Sequence, residues 1–149
     1  AHRSQVRARF ARRLGGAYAS YLRDRGPAPV RSGRRRVSVG RDCRLTSEEY
    51  AAALRTGLRE SGLDVVDLGM CPTPLCYFSL FHLDLDGGIQ VTGSHNPPDQ
   101  NGFKICVGKT TLHGDDIQEI RRRVDVTDDF RATRVPHRPL ADVGFHGTW

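Results

Sequence analysis

The chain has 149 residues, 38% of them hydrophobic, with 23 Lys and Arg against 17 Asp and Glu for a formal net charge of +6. That length suits one domain or slightly more with a substantial core, and the clustering of apolar residues in periodic blocks excludes a disordered chain. No apolar run approaches the ~18 residues of a transmembrane helix, and the start AHRSQVRARFARR carries no apolar h-region, so the expectation is a cytoplasmic protein without a membrane partner.

The charge is unevenly placed. Residues 1–36 carry a balance of +10, with Asp24 their only acid, and residues 37–149 a balance of −4. Arginine dominates: the only lysines are Lys104 and Lys109. The four cysteines, Cys43, Cys71, Cys76 and Cys106, form no CxxC pair, so a zinc site is not expected and reduced thiols are.

Residues 3–25 read as a helix, because Val6, Phe10, Leu14, Tyr18 and Leu22 recur at four-residue spacing and arginines fill the other face. Gly26, Pro27 and Pro29 stop it, and a basic linker follows at 31–36. Val37–Gly40 is a short strand. Thr46 or Ser47 is placed to cap the next helix, with Glu48 and Glu49 in its first turn, and Ser61-Gly62 ends it. Residues 64–68 form a second strand, the Pro72-Thr73-Pro74 run a turn, and residues 75–83 a helix. Gly88–Thr92 and Phe103–Val107 are two more strands, and Asp115–Val124 a last helix. Residues 125–149 read as a strand or an arm leading elsewhere. Alternating strands and helices imply an α/β fold: a three-layer α/β/α domain with a four-stranded mixed sheet, largely parallel with one antiparallel partner.

The densest run of chemistry-bearing residues is TGSHNPPDQNGFKI (92–105). It follows a strand, at the carboxyl edge where open α/β sheets bind ligands. Gly93 permits a tight turn, Ser94 offers a hydroxyl, His95 and Lys104 offer cationic or proton-transferring groups, Asn96 offers a donor and an acceptor, and two prolines stiffen the loop. Small polar residues of this kind are also ordinary loop chemistry, and no G-x-S-x-G elbow is present.

Three motifs together resemble the alpha-D-phosphohexomutases: TGSHNPPDQNGFKI is similar to the family's phosphoserine loop, GRDCRLTS (40–47) to its GRDxR segment, and DLGMCPTP (67–74) to its D-x-G-x-x-P-T-P turn. They occur in the family's order, over residues from about 5 to 125. The Thr92-Gly93 pair before Ser94 and the Phe103-Lys104-Ile105 run resemble the phosphomannomutase/phosphoglucomutase branch.

The resemblance implies a first domain, at 1–125, followed by an arm at 126–149 that leads toward a second. It implies that Ser94 carries a phosphoryl group and exchanges it with hexose phosphates through a hexose bisphosphate intermediate. It also implies Mg2+ bound through the phosphoserine at Ser94. His95 and Lys104 are then the catalytic partners of Ser94, and the substrate-binding set is Ser94, His95, Asn96, Lys104 and Arg44. Asn96 and Thr92 are expected to hold the loop's shape and Asp42 to be structural; Arg41 has two readings, a place near the phosphoserine or a structural ion pair with Asp42, and the role of Arg44 stays open between site and scaffold.

The family's carboxylate run D-G-D-x-D-R and its F-R-x-Y-D-I-R-G segment have no match here, so the remaining Mg2+ ligands are absent from this chain. The expectation is a piece of a longer enzyme, inactive alone, whose partners are the remaining domains of that enzyme. Two alternatives stand beside it: a non-catalytic phosphosugar-binding or scaffold domain, and a nucleic-acid-binding module built on the basic first segment. The aromatics of that segment lie on its apolar stripe, which argues against nucleic acid.

Overall fold

The computed structural model describes residues 2–98 and 100–131. Helix α1 spans His2–Arg25, strand β1 Arg36–Arg41, helix α2 Ser47–Glu60, strand β2 Asp64–Met70 and helix α3 Thr73–His82. Strands β3 (Gly87–Val91), β4 (Phe103–Val107) and β5 (Thr110–Thr111) follow, then helix α4 (Asp115–Arg131). The expected last strand or arm at 125–149 is corrected in part, since α4 continues through Arg131; residues beyond it lie outside the described residues.

Among the described residues the sheet has five strands in the order β2-β1-β3-β4-β5, not four. The fifth is the two-residue β5, too short to leave a period-2 signal, which folds back on Cys106 and Val107. β1 pairs in parallel with both β2 and β3, while β3–β4 and β4–β5 are antiparallel, so two antiparallel pairings replace the one expected.

Alternation along the strands divides the molecule into layers. Val37, Val39, Ile89, Val91, Phe103, Ile105 and Val107 face one side and pack with the apolar stripes of α1, α2 and α4. Ser38, Gly88, Gln90, Lys104 and Cys106 fall on the other side, where α3 packs through Leu80. There Ser79 Oγ donates to Cys76 O (2.6 Å) and shares a hydrogen bond with Ser38 Oγ (2.9 Å), so both hydroxyls under α3 have partners. Burial pushes the Cys76 thiol up to about 12, which leaves it an inert packing group.

The helical period of the first segment is visible in its burial. Phe10, Leu14, Tyr18, Tyr21 and Leu22 are all buried, so none of these aromatics is available to stack on a base. Many arginines of the segment already have partners: Arg12 pairs with Glu60, Arg25 with Glu119 and Arg34 with Asp64. Asp86 pins the linker by accepting from Val30 N (2.7 Å) and Arg36 N (2.8 Å).

α1 and α2 cross at glycines. A Cβ on Gly57 would stand 1.9 Å from Arg12 O, and one on Gly15 2.6 Å from Leu58 N, so backbone occupies the space of a side chain. Gly57→Ala is expected to force the helices apart and destabilise the fold by about 1–3 kcal/mol. Gly16→Ala, whose Cβ meets only Ser61 Oγ at 3.5 Å, is expected to be neutral or stabilising. Thermal unfolding of the two variants checks the contrast; equal melting temperatures would contradict the close crossing.

Candidate functional site

The chain passes from β1 through α2 to β2 and then returns through α3, on the opposite face, to β3. The point where the winding reverses lies between the carboxyl ends of β1 and β3, where a crevice opens in such sheets. Register places Arg41 beside Val91 and beside Met70, and Phe103 beside Val91. The three sequence motifs thus leave the sheet along one edge.

Loop 92–102 is built from two turns, closed by Asn96 N→Gly93 O and Gln100 N→Pro97 O, both 2.9 Å. Its ends are joined by Thr92 N→Gly102 O (2.9 Å). Ser94 lies at the exposed apex of the first turn with φ +51°, a left-handed conformation that costs a non-glycine residue about 1–3 kcal/mol unless its surroundings hold it. Thr92 Oγ1 holds it from one side by accepting from Ser94 N (3.1 Å). The Ser94 hydroxyl has no hydrogen-bond partner among the described residues, and neither does the exposed His95 side chain.

Arg44 lies beneath the loop. Its Nη1 donates to Pro97 O (2.7 Å) and Gln100 O (3.2 Å), and its Nη2 to Ser94 O (3.0 Å) and Asn96 O (2.9 Å). Its Nε donates to Asp42 Oδ2 (3.0 Å). The Arg41–Asp42 ion pair, one of the two readings open for Arg41, is not the one that forms: Asp42 pairs with Arg44, and Arg41 with Glu48 on α2. The reason is geometric. Asp42 turns back over its own loop, where it also accepts from Arg44 N (3.1 Å), Gly93 N (3.1 Å) and the Ser47 hydroxyl.

The expected helix cap is likewise redirected. Thr46 occupies the N-cap position of α2 in a helical conformation without a side-chain cap bond. Thr46 Oγ1 and Ser47 Oγ instead accept from Asn101 Nδ2 (3.1 and 2.8 Å), and Asn101 Oδ1 accepts from Gly102 N (3.0 Å). Burial of Asn101 beneath the loop is what gives this polar residue of the motif its role.

Lys104 is the register partner of Gln90, on the face that carries α3. It is half-buried, and its ammonium has no hydrogen-bond or ion-pair partner among the described residues. Gln90 itself is committed: Nε2 donates to Cys71 O (2.8 Å) and Oε1 accepts from Cys71 Sγ. The Pro72-Thr73-Pro74 run, expected as a turn, starts α3 with Pro72 as N-cap, two residues before the helix was expected.

Residues 1–130 match the family described as phosphoglucomutase/phosphomannomutase, alpha/beta/alpha domain I. The chain belongs to the phosphoglucomutase/phosphomannomutase family. It is 40% identical over 137 residues to a protein named phosphomannomutase from Salmonella typhimurium, covering 89% of this chain and 28% of that protein. It is 47% identical over 92 residues to a phosphomannomutase/phosphoglucomutase from Pseudomonas aeruginosa, covering 62% of this chain and 20% of that protein. The crystal structure of a phosphoglucomutase/phosphomannomutase family protein from Burkholderia thailandensis superimposes with a TM-score of 0.69 at 41% identity, over 80% of this chain and 26% of that one. The chain thus spans about a quarter of the length of these relatives.

In this member of the family, the described residues hold no group of three His, Cys, Asp or Glu side chains placed to bind a metal ion, and no helix long and apolar enough to cross a membrane. Ser94 offers a single hydroxyl oxygen, whereas Mg2+ takes several oxygen ligands.

Burial works to raise the Asp42 carboxyl, but hydrogen bonds from Ser47, Arg44 N, Gly93 N and Thr92 outweigh it and hold the group below the ordinary aspartate value. A depressed folded value stabilises the fold above the unfolded value, and that contribution is lost as pH falls through the folded one. Asp42→Asn is expected to destabilise the protein at neutral pH by about 1–3 kcal/mol. The gap should close in acid, below the depressed value; thermal unfolding across that range checks this, and a gap independent of pH would contradict it.

Proposed function

We propose that this chain is the phosphoryl-carrying domain of a cytoplasmic phosphomannomutase/phosphoglucomutase, which interconverts hexose 1-phosphate and hexose 6-phosphate. The observation that carries this is Ser94: an exposed hydroxyl held in a left-handed turn over a loop whose carbonyls are gathered on Arg44, in a chain of this family. Phosphoryl transfer asks mainly for position and for neutralisation of charge, and a proline-bearing loop with the unpartnered Lys104 ammonium at its edge offers both.

In the proposed cycle a sugar hydroxyl oxygen attacks the phosphorus on Ser94. The new P–O bond forms as the Ser94 Oγ–P bond breaks, the hydroxyl proton passes to a base, and the serine oxygen regains a proton. The hexose bisphosphate turns over, and its other phosphate returns to Ser94 by the reverse step. Lys104 and His95, the groups near this edge without partners, are the proposed phosphate contacts and proton carriers, with Asn96 offering its side-chain amide to the substrate. When bound at the phosphoserine, Mg2+ would neutralise phosphate charge; its remaining ligands would come from the other domains, which lie outside residues 1–125 and the proposed arm at 126–149.

Ser94→Ala in the polypeptide as its gene encodes it is expected to take up no phosphate from glucose 1,6-bisphosphate and to lower mutase turnover by about a hundredfold or more. Wild-type turnover in that variant would sink the proposal. Lys104→Gln is expected to reduce turnover by about 100- to 1,000-fold while leaving the melting temperature unchanged, since its ammonium holds nothing in place. Chelation by EDTA should stop turnover and added Mg2+ restore it.

A further inference from the structure

We infer that Arg44 is a positioning residue that holds Ser94 in its left-handed conformation, and that it does not bind the sugar phosphate itself; this rests on the reading of Ser94 given above. A guanidinium has five N–H groups. Here one goes to Asp42 and four to the carbonyls of Ser94, Asn96, Pro97 and Gln100. Bidentate capture of a phosphate needs two parallel N–H groups, and none is left over. The charge is also neutralised locally, by the Asp42 carboxylate 3.0 Å from Nε.

What those five bonds do is specific to Ser94. Arg44 Nη2 fixes the Ser94 carbonyl, and Thr92 Oγ1 fixes the Ser94 amide, so both peptide groups flanking the strained residue are held. With the loop's carbonyls drawn inward onto one cation, its apex and the Ser94 side chain stay exposed. The loop's ends are held by the same short segment: Asp42 takes Gly93 N, and Thr46 and Ser47 take Asn101, which holds Gly102 N. A lysine could not reproduce this, because its ammonium has three donors and no planar fork.

Gly93 supplies an independent handle. A Cβ there would stand 2.4 Å from Arg44 Cζ and 2.5 Å from Gln100 O. Gly93→Ala therefore displaces the guanidinium without removing it, whereas Arg44→Lys keeps the charge and removes the fork.

The test measures two things in both variants: the intraresidue amide–Hα NOE of Ser94, strong only at positive φ, and phosphoryl uptake from glucose 1,6-bisphosphate. Far-UV circular dichroism verifies folding. The expected result is that each variant loses the strong NOE and slows uptake by about a hundredfold, with KM for the bisphosphate little changed. The double variant should be no slower than either single one, because both break the same clamp. An unchanged NOE with a raised KM in Arg44→Lys would make Arg44 a substrate ligand and overturn the inference. A lost NOE with wild-type uptake would overturn it as well. If Arg44→Lys does not fold, Gly93→Ala decides alone. If the wild-type protein takes up no phosphoryl group, the mutase reading fails, and the NOE by itself decides whether Arg44 sets the conformation of Ser94.

Discussion

The carboxylate of Asp42 accepts hydrogen bonds from its own loop, from the first residue of α2 and from the start of the loop that carries Ser94. Two strand ends that are adjacent by register bring these loops side by side. A half-buried carboxylate in that gap needs donors, and Gly93 N and the Ser47 hydroxyl are two of them. A half-buried guanidinium needs a counter-charge, and Asp42 is the one. Each group makes the other tolerable at a depth where either alone would be costly. The conformation of the Ser94 loop follows from that mutual requirement.

The fold below brings the partners together. Winding reverses between β1 and β3, so the segments after these strands face each other, and the end of β2 joins them through Cys71 N→Arg41 O (2.9 Å). The glycine crossing of α1 on α2 lets the two helices lie close together. On the opposite face, Gln90 ties the DLGMCPTP turn to β3 through Cys71. That third motif therefore serves the sheet edge as scaffold in this chain.

Two kinds of polar group separate at this edge. Asp42, Arg44, Thr92, Ser47 and Asn101 have their hydrogen-bonding capacity spent on each other and on the loop backbone. The Ser94 hydroxyl, the His95 ring and the Lys104 ammonium have no partner among the described residues. A site arranged this way carries its reorganisation cost in the fold, so under the proposed function charge that develops on a transferred group would meet fixed dipoles and unpartnered basic side chains. The left-handed turn at Ser94 is the strained part, and the spent groups are what hold it.

Much of this could be read from residues alone. The four-residue spacing of α1, the apolar runs of the strands and the Gly-Pro boundaries are local signals, and the elements they indicate form close to where they indicate them. Three motifs in order sufficed to place the chain in its family. The sequence did not show the two-residue β5, whose existence depends on β4 being there to pair with. Nor did it show the course of α4 beyond Val124, where the apolar period fades. The part played by Arg44 stayed open between ligand and scaffold for the same reason: its partners are carbonyls about fifty residues away, and backbone carbonyls leave no trace in residue identity. Asn101 and Ser47 were visible only as a loop residue and a helix cap until burial brought them together. By itself, then, the sequence determined the elements, their alternation and the family, because periodicity and motif are properties of neighbours along the chain. Which side chains are spent and which remain free was decided only by the tertiary structure, because hydrogen-bond capacity is used up by whatever group the fold brings within about 3 Å.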